Sequence, residues 1–326
     1  MNGSFWAWHM AALTRHNAIG MALPETPKSP SLTVFKFSQM HMGVAVRVTL
    51  FAPDLATAEA AGGQAFARFR MFDDKLSDYQ VSSELNKLCD LAGCGPVHVS
   101  TELFHVLSVA LAVNRLSKGA FDITCGSATK IWRKCKLESR LPTDSDLERI
   151  RGSSGGERIK LDQHSRTAEV SAGTRIDLGG IAKGYACDEA IDALKRSGVS
   201  SAMIVAGGDI AVSDPPPGKL GWHIATTGPE SKSFTLANAA LSVSGDQEQS
   251  IDVSGVRYSH VVDNKTGIGL VGHCQVTVVG SKGIWTDAIA TAESIVPGAS
   301  LPLIAKNVIW EVHRTHLGAA TISGAE

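Results

Sequence analysis

The chain has 326 residues, 44% of them hydrophobic and 19% charged, with a formal net charge of −1. That is enough apolar material for one large domain or two intimate ones, and too balanced a charge to drive binding to nucleic acid or an anionic membrane. No apolar run approaches the roughly 18 residues of a membrane helix, so no membrane span is expected.

Residues 1–30 read as a loosely ordered lead-in and residues 31–326 as the functional domain. Met10–Leu23 is mildly apolar, but Arg15, His16 and Asn17 break it and make it a poor signal-peptide core. Pro24, Pro27 and Pro30 then form an extended linker. The six cysteines (89, 94, 125, 135, 187 and 274) contain no C-x-x-C pair, and none stands near the start to accept a lipid. Reduced, mostly buried thiols and a cytoplasmic location follow as the expectation.

Phe35–Ala52 alternates apolar and polar residues, predicting a half-buried strand interrupted at Met42-Gly43. Asp54 is placed to cap a helix running to about Asp73, with Phe66, Phe69 and Phe72 inward. A loop carrying Lys75–Tyr79 leads to a short helical stretch over Ser82–Leu88, and Ser100 opens a further helix that Gly119 ends. Phe121–Trp132 reads as a turn into a helix, and Pro142–Gly152 as a charged helix capped by Thr143 or Ser145. Arg158–Val170 reads as two short strands around a polar turn.

The centre of the chain is R-I-D-L-G-G-I-A-K-G-Y-A, residues 175–186: a strand end, an acid, a Gly-Gly turn and a helix stopped by Gly198. Ser201–Ala206 is a buried strand, and Trp222–Ala225, Phe234–Leu236 and Ala240–Val243 continue a sheet. Arg257–Val262 and Val276–Val279 are strands, Gly283–Val296 a helix, and one more strand or helix follows Pro302. Strand runs mixed with segregated helices indicate an α+β fold.

Several residues suit chemistry. Lys183 stands in the first turn of the central helix, where a cation is mildly unfavourable unless something negative faces it; a pyrophosphate at the glycine turn would serve, and so would an ordinary solvated lysine. Asp287 and Thr291, four apart on one helix, offer two hard oxygens to Mg²⁺, or a plain helix start. His260 is either a neutral-pH base or a half-buried strand histidine. Asp209 and Asp246 end strands, as ligand contacts or turn caps. Tyr79 and Phe121 are the aromatics for stacking on a planar ring.

Five blocks in order, L-S-D-Y (76–79), G-A-F-D-I-T (119–124), D-L-G-G-I-A-K-G-Y (177–185), A-G-G-D-I (206–210) and S-G-D…R-Y-S-H-V-V-D-N-K-T-G…T-D-A-I-A-T-A (244–292), resemble the FAD:protein FMN transferases, the ApbE family. The resemblance implies two β-sheets flanked by helices, with FAD as substrate in a cleft between them. It implies that Met42, Tyr79, Ala120, Phe121, Asp122, Asp177 and Lys183 line the FAD site, with His260 next to the pyrophosphate. Gly180, Asp287 and Thr291 would surround Mg²⁺. The activity implied is Mg²⁺-dependent transfer of FMN to a threonine hydroxyl of an acceptor flavoprotein with release of AMP, Lys183 holding phosphate and His260 or Asp246 acting as base. An FAD pyrophosphatase and a non-catalytic FAD-binding protein are the alternatives. The sequence departs from the family pattern at Ile123 and Asn264, where prolines are usual, and at Ile131-Trp132-Arg133, in place of a Leu-Trp-Gly-Phe-Gly-like run.

Overall fold

The computed structural model describes residues 31–227, 231–245, 250–253, 255–263, 266–271 and 273–317. The expected lead-in over residues 1–30 and Asp246 lie outside them. Phe35–Ala52, expected as one interrupted strand, is a hairpin of β1 (Thr33–His41) and β2 (Val44–Ala52) in antiparallel register. Met42 and Gly43 both have positive φ, 49° and 74°, the turn geometry whose twist suits paired strands. Side-chain alternation looks the same on both sides of such a turn, so the pattern reads through it.

The helix starts follow local capping chemistry. In α1 (Leu55–Leu76) the Asp54 carboxylate accepts from the Thr57 N–H at 2.8 Å. The α2 (Glu84–Asp90) and α3 (Thr101–Leu116) helices begin on Ser83 and Ser100, with β3 (Val97–His98) between them. After α4 (Gly126–Leu137), α5 (Asp144–Ser153) carries a complete Thr143–Asp146 capping box. The expected strand pair is β4 (Ile159–Asp162) and β5 (Thr167–Val170), to which β3 adds an edge. Arg175 forms only an isolated bridge to Cys125 in place of a strand end.

After α6 (Ala182–Arg196), β6 (Ala202–Ala206) turns at Gly207-Gly208 directly into β7 (Asp209–Val212), a strand not expected from the sequence. The strands β8 (Trp222–Ala225) and β9 (Ser233–Leu236) pair with each other instead of continuing a larger sheet. Next come β10 (Ala239–Gly245), β11 (Ser250–Val253), β12 (Val256–Asp263), β13 (Ile268–Val271) and β14 (His273–Gly280). The chain continues with α7 (Gly283–Ile295), α8 (Leu301–Ile304) and β15 (Ile309–Leu317), so both a helix and a strand follow Ser300.

The α+β expectation holds. Among the described residues, seven strands form an antiparallel sheet in the order β1-β2-β6-β7-β10-β14-β15, and three small sheets accompany it. One face is covered by helices: α1 lies on β1 and β2, α6 on β6 and β7, and α7 on β10 and β14. Alternation assigns the faces. Ala211, Val276 and Val278 point into the helical core, whereas Val212, Leu241 and Val279 meet Trp222, Ile224 and Phe234 of the β8–β9 pair. A third cluster joins Trp132 and Ile150 to Val262, and the Trp132 indole donates to the Gly267 carbonyl at 2.9 Å. This ties the β11-β12-β13 sheet to α4 and α5.

Candidate active site

The site is set by two helix N-termini brought into contact. A Cβ on Gly184, in the first turn of α6, would fall 2.1 Å from the Gly283 carbonyl oxygen and 2.7 Å from the Asp287 Cβ. Only glycine permits this approach. The helices then exchange carboxylates. Asp287 of α7 accepts from the Gly184 N–H at 3.0 Å, and Asp188 of α6 accepts from the Gly283 and Ile284 N–H groups at 2.8 and 2.9 Å. Each helix thereby satisfies amide donors that the other leaves unpaired, and each places negative charge at a positive dipole end.

The Asp188 brace yields a stability prediction. Asp188→Ala leaves two buried N–H groups without acceptors and should cost about 2–4 kcal/mol, read as a lower urea midpoint at unchanged m value. Burial, opposed by the two amide hydrogen bonds, pushes the Asp188 carboxyl up to about 6. A carboxyl raised in the folded state contributes most at low pH. Its contribution is complete below about pH 4 and is lost as pH rises through about 6. The gap between wild type and variant should therefore narrow across that window.

Lys183 meets negative charge, one of the two readings its position allowed, but that charge belongs to the chain. Its Nζ lies 3.2 Å from Asp209 Oδ2 and 3.7 Å from Asp287 Oδ2, and it donates to the Gly179 carbonyl at 2.9 Å. Burial alone would lower its pKa; Asp209 and then Asp287 more than compensate and hold it protonated. Asp287 is itself pushed up to about 7, by burial first and by Asp209 second, against the pull of Lys183. It is a buried carboxylate short of positive charge. Asp209 belongs to the site although Gly207-Gly208-Asp209 reads equally well as a turn cap.

Beside this cluster, Gly180 packs against Thr291 and Phe121: a Cβ there would lie 2.8 Å from the Thr291 hydroxyl and 3.3 Å from the Phe121 ring. The Gly180 carbonyl, the Thr291 hydroxyl and the Asp287 carboxylate are hard oxygen donors suited to a small divalent cation. Among the described residues no group of three or more His, Cys, Asp or Glu forms a complete cage. A cation held here would take its remaining ligands from water or phosphate, which suits Mg²⁺.

A second cluster joins the first through the 177–183 turn. The Asp177 carboxylate accepts from the Gly179 N–H at 2.8 Å and lies 3.8 Å from Arg133. Arg133 also pairs with Asp78 at 2.6 Å and covers the Tyr79 ring. Burial and then repulsion from Asp177 push the Asp78 carboxyl up, and Arg133 counters them. Asp78, Arg133, Asp188 and Asp209 are absent from the residues implied by the resemblance. Asp209, at a strand end after two glycines, carried a local signal, and Asp78 and Asp209 lie inside the L-S-D-Y and A-G-G-D-I blocks although the resemblance gave them no role.

The other expected residues are spread more widely. Ala120 and Phe121 are buried, at 5% and 4% exposure, so Phe121 forms a wall instead of offering an open stacking face. The Asp122 carboxylate accepts from the Thr124 amide and hydroxyl and shapes the turn into α4. Met42 sits at the hairpin tip, its N–H donating to Asp73 at 2.9 Å. His260 lies on β12, which packs near α4 and α7; its side chain is outside the described residues, as is Asp246.

The fold and this arrangement have counterparts. The crystal structure of an ApbE protein from Thermotoga maritima superposes with a TM-score of 0.78 at 25% identity, covering 87% of this chain and 97% of that one. The apo flavinyl transferase ApbE of Pseudomonas stutzeri gives 0.77 at 25% identity, over 88% and 92%. In sequence, the FAD:protein FMN transferase of Vibrio cholerae is 29% identical over 67% of this chain and 68% of its own. The Haemophilus influenzae protein of the same name is 25% identical over 94% of both. The ApbE family model matches residues 42–309, most of the chain, and the protein belongs to the ApbE family.

Proposed function

We propose that this protein is an FAD:protein FMN transferase, using Mg²⁺ to move the FMN half of FAD onto a threonine hydroxyl of an acceptor flavoprotein with release of AMP. Residues 31–326 are the transferase domain and the compartment is the cytoplasm. The observation that carries the reading is charge. Among the described residues of the two clusters, the cations that face Asp78, Asp177, Asp209 and Asp287 are Lys183 and Arg133. A diphosphate entering such a site needs an added cation, and the Gly180, Asp287 and Thr291 oxygens are the donors that would hold it.

Bound there, Mg²⁺ supplies Lewis-acid stabilisation of charge on the phosphates and the leaving AMP. The chain's own groups do the rest. Asp287 and Thr291 fix the donor geometry, Lys183 keeps Asp209 and Asp287 compatible with an anionic substrate, and Gly179 and Gly180 let backbone approach phosphate. His260, on a strand that packs beside α7, takes the proton of the attacking hydroxyl, with Asp246 in reserve. Met42, Ala120, Phe121, Asp122 and Asp177 line the FAD site, and Tyr79 stacks on a ring of the substrate.

Two experiments test this reading. AMP release from FAD should require Mg²⁺ and stop on chelation; release at an unchanged rate in chelator contradicts the metal role. Tyr79→Ala should weaken FAD binding about tenfold, with a smaller effect on turnover at saturating FAD. Unchanged affinity in a fluorescence titration would remove Tyr79 from the binding site.

A further inference from the structure

Tyr79 is 73% exposed, yet one face of its ring is occupied: the Arg133 guanidinium carbon lies 3.9 Å from the ring centroid. A phenol stacked under a guanidinium is fixed in its plane while its opposite face stays open. The same guanidinium reaches Asp78 Oδ2 at 2.6 Å and Asp177 Oδ2 at 3.8 Å, and both of those side chains are only 11% exposed. One arginine on α4 thus gathers a tyrosine and an acid from the loop after α1 and a second acid from the turn before α6. The helix does not need it for its dipole, because Lys134 and Lys136 already stand in its last turn. A solvated arginine would keep its rotamer freedom; this one is held by three partners.

We infer that Arg133 is a positioning residue for the substrate, holding the Tyr79 ring ready to stack on a planar ring of FAD and cancelling charge on Asp78 and Asp177 that would repel the diphosphate. The inference rests on the FAD reading above and adds a residue to it. Without Arg133 two largely buried carboxylates face each other with no cation between them, and the tyrosine loses the contact that orients it. Lysine at the same position keeps the charge but not the planar fork, so it restores only part of the function.

The test compares wild type, Arg133→Ala and Arg133→Lys as full chains with Mg²⁺, measuring FAD affinity by flavin fluorescence and AMP release over a range of FAD concentrations. Arg133→Ala should raise the FAD Kd and KM about tenfold or more while kcat falls by less than about threefold, and Arg133→Lys should lie between. A wild-type Kd and KM in Arg133→Ala, or a loss confined to kcat, overturns the inference. If the alanine variant does not fold, Arg133→Lys decides alone: a KM raised severalfold supports the inference and a wild-type KM overturns it. Wild type that binds no FAD overturns the underlying reading, and the inference falls with it.

Discussion

Asp287→Asn should lower Mg²⁺-dependent AMP release by at least about a thousandfold while the fold survives. Asparagine keeps an oxygen that can accept from the Gly184 N–H, so the contact between α6 and α7 is retained. What it removes is the charge that makes the carboxylate a cation ligand. Stability should move the other way. Burial and then Asp209 push the Asp287 carboxyl up to about 7, so its ionised form is held at a cost in the folded chain. Above neutral pH the neutral amide relieves that cost, and Tm should rise by about 2–5 °C. An inactive, more stable variant is the signature of a residue kept for function. Turnover within tenfold of wild type would take Asp287 out of the metal role. A Tm that falls sharply would mean that its structural hydrogen bond dominates.

Gly184→Ala should cost more than about 3 kcal/mol and lower Tm by about 5–10 °C, a large loss for one methyl group. The added carbon would meet the Gly283 carbonyl oxygen at 2.1 Å and its carbon at 2.6 Å. Those atoms are backbone and cannot turn aside. The helices would have to separate, and with them the Asp287–Gly184 and Asp188–Gly283 hydrogen bonds that brace the site. The natural control is Gly63→Ala in α1, where nothing lies within 4 Å of an added Cβ. There the change should be neutral or stabilising by about 0.5–1 kcal/mol. Equal melting temperatures for Gly184→Ala and wild type would show that the α6–α7 crossing relaxes freely, and the account of the site's rigidity would fail.

Legibility followed the range of the interactions. Asp54, Ser100 and Thr143 are caps that act within three residues, and the sequence displays them directly. Four-residue strands show where apolar and polar residues alternate, as in I-K-L-D of β4, W-H-I-A of β8 and S-F-T-L of β9, whereas D-I-A-V of β7 and I-G-L-V of β13 do not alternate. The Met42-Gly43 break shows in the sequence, but not that the chain reverses there, because side chains alternate alike on both sides of a tight hairpin turn. At the site, Lys183 was marked by its awkward place in a first helical turn, but its partners lie on β7 and α7. The five sequence blocks named many of the residues that meet there. They could not say that Lys183 faces two carboxylates of its own chain, that Asp188 braces α7, or that Arg133 spans three segments. Each of those facts exists only once distant stretches have packed.

The most direct test of the central claim is to incubate the purified protein with FAD, Mg²⁺ and a flavoprotein bearing an acceptor threonine, then resolve the mixture on a denaturing gel. The account predicts a fluorescent acceptor band that requires Mg²⁺, heavier than the bare acceptor by one FMN less a water, with AMP formed in equal amount. AMP without a labelled acceptor, across acceptors that carry the target threonine, would contradict transfer and leave hydrolysis of FAD as the activity.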